Sequence, residues 1–222
     1  MKVALAISLV LMASLQARGQ ILVSTTFDAG RQDWFDTFGS ATGSGALWQS
    51  GGGNPGGFIR ATDRTDASNT IWYFENNSTF NGDRSSAYQG SLQYDIVRLV
   101  NGTALTLNSS NADVLLSGAG MQFMHVGTVP TTSWSTMTVP LMPSSWTKVS
   151  GGVNSGVNPT SAEFLTLLSN VTNLRIRGNY NIEMNDSTGL DNVMLVAPVP
   201  EPTAILLVGS LVGLAGFKRR RK

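Results

Sequence analysis

The chain has 222 residues, 41% of them hydrophobic and only 13% charged, with no cysteine and a formal net charge of +1. Lacking cysteine, it has no disulfide, thiolate nucleophile or Cys-ligated zinc or iron–sulfur site. Lys2, Arg18 and the five basic residues at 218–222 place much of the positive charge at the ends. The mildly acidic body between them has no basic stripe for phosphate contacts, so nucleic acid is excluded as a partner.

In chain order, Lys2, the apolar run 3–15 and the small residues Ala17 and Gly19 have the charged, apolar and cleavage regions of a secretory signal. Residues 1–19 are expected to be removed after Gly19 by signal peptidase, with Ala17 a competing site beside Arg18. The apolar run is shorter than the roughly 20 residues that span a bilayer. Short β-type runs then recur between turn clusters, at 21–23, 57–59, 71–74, 91–96, 114–116, 121–124, 134–139, 174–178 and 192–196. The glycine-rich stretch 51–57 reads as a tight loop leading into Phe58, and 150–159 as an exposed polar loop. One helical signal interrupts the pattern at 159–170, with Ser161 as cap and Phe164, Leu165, Leu167 and Leu168 on one broad face. Many short strands in a chain rich in Gly, Ser, Thr and Asn predict an all-β module over 20–198, a β-sandwich or jelly roll with one short helix.

The far end, 199–222, has three parts: Pro200-Glu201-Pro202, an apolar segment at 203–217 and the basic cluster. The prolines keep the tripeptide extended, the apolar helix inserts in the membrane, and the basic cluster stays cytoplasmic. This order of parts resembles the PEP-CTERM sorting signal. The resemblance implies that an exosortase reads the tail, that membrane insertion is transient, and that the mature protein reaches the outer surface or extracellular matrix of a Gram-negative bacterium that makes exopolysaccharide.

Across the body, a dispersed set of residues keeps a familiar order: Phe27, Gly30 and Trp34; Gly53-Asn54-Pro55-Gly56-Gly57; Phe80-Asn81-Gly82-Asp83 leading to Ala87-Tyr88-Gln89-Gly90-Ser91-Leu92; Val114-Leu115-Leu116-Ser117-Gly118; Trp134 and Trp146 bracketing a strand; Phe164-Leu165; Ile176-Arg177-Gly178; and Gly189-Leu190-Asp191-Asn192-Val193. This pattern resembles the laminin B (laminin IV type A) module, which implies a jelly-roll sandwich related in shape to carbohydrate-binding modules. The Cys-rich repeats that flank the animal modules are missing, so basement-membrane roles do not transfer.

Asp28 follows the first strand and Asp191 begins the predicted last one. If the terminal strands pair, the two carboxylates and nearby carbonyls suit a structural Ca²⁺; otherwise Asp191 and Asn192 simply bond backbone amides. Asp63, Asp66 and Asp83 are weaker loop candidates. Trp34, Trp48, Trp72, Tyr88, Trp134 and Trp146 are the aromatic pool, most of it expected in the core, and Trp48 is the residue expected to be exposed for stacking on a sugar ring. Glu75, Glu163 and Glu183 show no spacing that pairs two carboxylates across a glycosidic bond, and the single histidine, His125, has no nucleophile-elbow motif with it. A non-catalytic structural or binding module of the exopolysaccharide matrix is therefore expected, ahead of a carbohydrate-binding module using exposed aromatics and, last, a glycoside hydrolase.

Overall fold

The computed structural model describes residues 19–37, 46–62, 71–99, 112–180 and 187–199. The expected signal segment except Gly19, the Pro200-Glu201-Pro202 motif with its apolar segment, Asp63, Asp66 and Glu183 lie outside the described residues. No helix among the described residues is long and apolar enough to cross a membrane.

The strands are β1 (Ile21–Thr25), β2 (Trp34–Asp36), β3 (Leu47–Gln49), β4 (Phe58–Thr62), β5 (Tyr73–Asn76), β6 (Ser91–Arg98), β7 (Val114–Gly118), β8 (Met121–His125), β9 (Ser135–Pro140), β10 (Thr147–Ser150), β11 (Val153–Asn154), β12 (Val171–Arg177) and β13 (Ser187–Val196), with one helix, α1 (Ser161–Leu168). They form two antiparallel sheets. The six-stranded sheet runs β3-β4-β13-β6-β9 with β1 also on β13, and the seven-stranded sheet runs β11-β10-β8-β7-β12-β5-β2. Between them lies one core, so the expected all-β sandwich with a short helix is the observed architecture.

Alternation along the strands explains which residues meet there. In β12, Leu174 and Ile176 join the core, which turns Asn173, Arg175 and Arg177 to the opposite face; in β6, Leu92, Tyr94 and Ile96 enter the core. Aromatic rings carry much of the packing. Trp34 lies edge-on to Phe27 and Phe80 at centroid distances of 6.1 and 5.7 Å, and Phe164 stacks on Phe123 at 5.7 Å and meets Trp146 at 5.9 Å. Each such fully buried ring contributes roughly 2–3 kcal/mol relative to exposure.

The helix brings Phe164, Leu167 and Leu168 into this core, while Leu165 is exposed. Its cap is Thr160 rather than Ser161: Thr160 Oγ1 accepts from the Glu163 amide, and Glu163 Oε2 accepts from the Thr160 amide at 2.7 Å. Ser161 therefore already stands in the first helical turn. The polar stretch 150–159 is not all loop, since β10 and β11 close a hairpin within it. The short strands β2 and β3 lack the length to show an alternating pattern and were not visible as β runs.

Asn76, fully buried at the end of β5, organises the neighbouring turns. Its Oδ1 accepts from the amides of Ser78 and Phe80 at 3.2 and 3.1 Å, and its Nδ2 faces the carbonyls of Gln32 and Asp33. Gln32 and Asp33 both adopt positive φ, 50° and 63°. The chain enters and leaves the module side by side, with the Ala197 amide donating to the Gln20 carbonyl at 2.8 Å.

Candidate functional site

Three segments converge on the middle of β13. Its first half pairs with β4 and its second half with β1, and a register shift interrupts its pairing with β6 after Asp191. The residues just past β1, including Asp28, and the glycine loop just before β4 therefore arrive together beside Asp191 and Asn192. The sequence suggested that Asp191 opens the last strand; it stands mid-strand, because β13 begins at Ser187.

Asp191 is fully buried, and its two oxygens accept separate amides, Oδ2 from Asn54 at 2.6 Å and Oδ1 from Asn192 at 2.7 Å. Asp28 Oδ1 receives a long bond from the Gly57 amide at 3.4 Å. Asn192, in the left-handed region at φ 48°, donates its Nδ2 to the Asn54 carbonyl at 2.6 Å and to Asp95 Oδ2 at 2.8 Å. Trp134 Nε1 bonds the Gly52 carbonyl at 2.9 Å, so both flanks of the loop are clamped.

Glycine is required here by close approach. A Cβ on Gly53 would lie 2.6 Å from Asp191 Oδ2, one on Gly56 would strike Asp28 Oδ1, and one on Gly57 would strike the Phe27 carbonyl. The bare backbone lets Asp191 Oδ2 and the Gly56 and Gly57 carbonyls gather at Gly53, Asp28 Oδ1 lie against Gly56, and the Phe27 carbonyl lie against Gly57. Burial, the largest influence, pushes the Asp191 carboxyl up to about 6; the Asn54 and Asn192 amides pull it down, and the neighbouring Asp95 and Asp28 push it further up. An oxygen-only donor set is the kind a hard cation such as Ca²⁺ takes; here both Asp191 oxygens already accept amides, and the Phe27 and Gly56 carbonyls accept Trp48 Nε1 and the Gly53 amide. Among the described residues no group of three or more His, Cys, Asp or Glu side chains makes a metal cluster, so backbone carbonyls would have to complete the shell.

Trp48 flanks the same loop. It lies in β3 at the sheet edge, 40% exposed, and its Nε1 donates to the Phe27 carbonyl at 2.6 Å. Trp34, Trp72 and Trp146 are buried in the core, and Trp134 and Tyr88 are half-buried.

The other titratable candidates are tied to structural partners. Glu163 closes the helix cap and pairs with Lys148 Nζ at 2.6 Å, which with the Thr160 bonds lowers its carboxyl to about 2. Asp83 accepts the Ser85 amide and hydroxyl at the start of a short 3₁₀ turn, which lowers its carboxyl. His125 ends β8 with Nδ1 2.7 Å from the Ser145 carbonyl and its ring tilted on Trp146; since a carbonyl only accepts, that nitrogen carries the proton.

A second polar region escaped the sequence reading: the outward face of the seven-stranded sheet. Strand pairing sets its residues in rows across the strands. The central row runs Phe35, Glu75, Arg175, Leu115, Met124, Thr147, and beside it run Asn173, Ser117, Gln122. Buried Glu75 accepts from Arg175 Nε at 2.6 Å and from Asn173 Nδ2 at 2.5 Å. On the far side of the central row, Tyr73 stands opposite Arg177, whose guanidinium lies over the Tyr180 ring and close to Asp113. Arg177, Asp113 and Tyr180 are buried, and burial raises the Asp113 carboxyl and the Tyr180 hydroxyl. Only strand alternation plus knowledge of which strands pair could have revealed this face, and register is not written in any one strand.

A family model described as Laminin B (Domain IV) matches residues 73–207. Among solved structures, the L4b domain of human laminin alpha-2 is similar, with a TM-score of 0.62 and 17% identity, covering 81% of this chain and 98% of that one. A family 11 carbohydrate-binding module from Clostridium thermocellum, in complex with a β-1,3-1,4-mixed-linked tetrasaccharide, has a TM-score of 0.53 and 18% identity over 81% of this chain and 97% of that one. At those identities the likeness is one of fold. No curated protein matches the chain.

Proposed function

This chain belongs to the laminin B (domain IV) family, and on that premise we propose that it is an exported, non-catalytic binding module that engages polysaccharide at the cell surface or in the surrounding matrix. The observation that carries the reading is the two-sheet sandwich itself, a fold shared with the laminin L4b domain and with a family 11 module that holds a tetrasaccharide. Fold alone does not choose a ligand. The structural ties of Glu75 and Glu163 add support, because neither is free to act as an acid across a substrate from a second carboxylate.

Delivery is read from the ends of the sequence. Signal peptidase removes residues 1–19, and an exosortase acts at Pro200-Glu201-Pro202 after the apolar segment inserts transiently in the inner membrane. Mass spectrometry of the protein recovered from membrane, surface and medium fractions of its Gram-negative host tests this. Loss of both ends in the surface fraction is expected; an intact basic tail retained in the membrane would refute sorting.

A structural Ca²⁺ at the glycine loop is a second reading, favoured by Asp191 Oδ2 gathering with the Gly56 and Gly57 carbonyls at Gly53 and by Asp28 Oδ1 lying against the neighbouring Gly56. Asp28 and Asp191 would hold the ion, which would neutralise charge and lock the loop to β13. Calcium titration followed by thermal unfolding checks it: a rise in Tm that EDTA reverses is expected, and no response at millimolar Ca²⁺ would dismiss it.

A further inference from the structure

We propose that the outward face of the seven-stranded sheet is the glycan-binding surface, and that it takes a neutral oligosaccharide lying across the strands along the rows Phe35–Glu75–Arg175–Leu115 and Asn173–Ser117–Gln122. This rests on the polysaccharide-binding reading and assigns it a place.

The face divides by accessibility. The row of Tyr73, Arg177 and Asp113 is closed to a ligand, since Arg177 and Asp113 are buried. Phe35, Arg175, Leu115, Asn173, Ser117 and Gln122 are half-exposed. Beneath them Glu75 fixes two of these side chains: Arg175 commits only its Nε and Asn173 only its Nδ2. Arg175, whose side chain is 36% exposed, keeps its guanidinium at the surface beyond that one bond, whereas Asn173 Oδ1 lies buried beneath it without a hydrogen-bond partner among the described residues. The orientation of the Asn173 amide is fixed by chemistry, because only its nitrogen can face the Glu75 carboxylate. Ser117 Oγ accepts from Gln122 Nε2 at 2.9 Å, which leaves the Gln122 carbonyl as a further acceptor.

Prepositioned donors and acceptors side by side, flanked by the apolar bodies of Phe35 and Leu115, suit a polyol with alternating hydroxyls and C–H faces. The charge of Arg175 is already compensated by Glu75, so the surface selects a neutral chain over a uronate. An added peptide strand would pair with a sheet edge instead of its face. From Phe35 on β2 to Leu115 on β7, short of the buried Met124, the row crosses three strand intervals, roughly 14 Å at the usual strand spacing, which accommodates a short oligosaccharide rather than one sugar. At its β2 end Phe35 also lines an open groove of about 630 Å³ bounded by Arg31, Gln32, Asp33, Asn77 and Ser78, which gives the chain an exit.

The test uses affinity electrophoresis and titration calorimetry of the full chain against mixed-linkage β-glucan, laminarin and agarose, with alginate as the acidic control. The variants are Phe35→Ala, Arg175→Lys and Gln122→Ala, each checked for an unchanged unfolding profile, with Trp48→Ala on the other sheet. Binding to at least one neutral polysaccharide, weakened about tenfold or more by Phe35→Ala and Arg175→Lys and not by Trp48→Ala, is the expected result. Neutral binding that survives both substitutions, or is lost only with Trp48→Ala, overturns this assignment while leaving the polysaccharide reading intact. Binding to alginate alone overturns the neutral ligand, and binding to none of the four overturns both readings.

Discussion

Replacing Asp191 by asparagine isolates the electrostatics of the glycine loop. In the folded protein its carboxyl sits at about 6, against 3.8 for an ordinary aspartate, chiefly because it is buried. A carboxyl whose pKa rises on folding binds its proton more tightly in the native state, so stability from this group is fully present below about pH 4 and is lost as pH rises through about 6. A shift of that size corresponds to about 2–3 kcal/mol. The D191N variant has no such proton to lose. Its carboxamide offers one acceptor to two amides, a penalty of about 1–2 kcal/mol that does not change with pH. Urea denaturation of both proteins in EDTA from pH 3.5 to 7.5 gives the difference in unfolding free energy. The lowered carboxyls of Asp83 and Glu163 act equally in both proteins and cancel. The wild type is expected to lose about 2 kcal/mol relative to D191N between pH 4 and 6.5. A difference that stays constant across that range would refute the account of Asp191.

Two further substitutions test the packing. Gly178→Ala places a Cβ within the ring of Trp72, which is fully buried and edge-on to Phe74 at 5.2 Å, so destabilisation by at least about 1–3 kcal/mol with a changed near-ultraviolet tryptophan signal is expected. Thr160→Ala removes the helix cap and should lower the unfolding free energy by about 1 kcal/mol in chemical denaturation, with the β-sheet circular dichroism signal unchanged.

The sandwich was legible because its strands carry strong local signals: β6 and β12 alternate between core and outward residues, β7 opens on an apolar run, and the buried aromatics fall at turn-bounded positions. The helix was found but its cap was displaced by one residue, since Thr160 and Ser161 are both competent hydroxyls and only the reach of Glu163 distinguishes them. The approach of Asp28 to Asp191 followed from one topological expectation, the pairing of the terminal strands, which β1 and β13 fulfil. The outward polar face could not be read. Glu75 and Arg175 are 100 residues apart, and nothing local shows that β5 and β12 are neighbours in register.

That same pairing of β1 with β13 has a mechanical consequence. Because Gln20 and Ala197 are hydrogen-bonded neighbours, tension between the two ends of the module loads the β1–β13 hydrogen bonds one after another, as a zipper opens, instead of shearing them together. A module held by one end alone carries no such load and hangs from a single point with both sheet faces turned outward. The adjacency also makes the module suited to circular permutation: a short bridge between its present ends, with a new opening at an exposed turn such as Gly151–Gly152, preserves every strand pair.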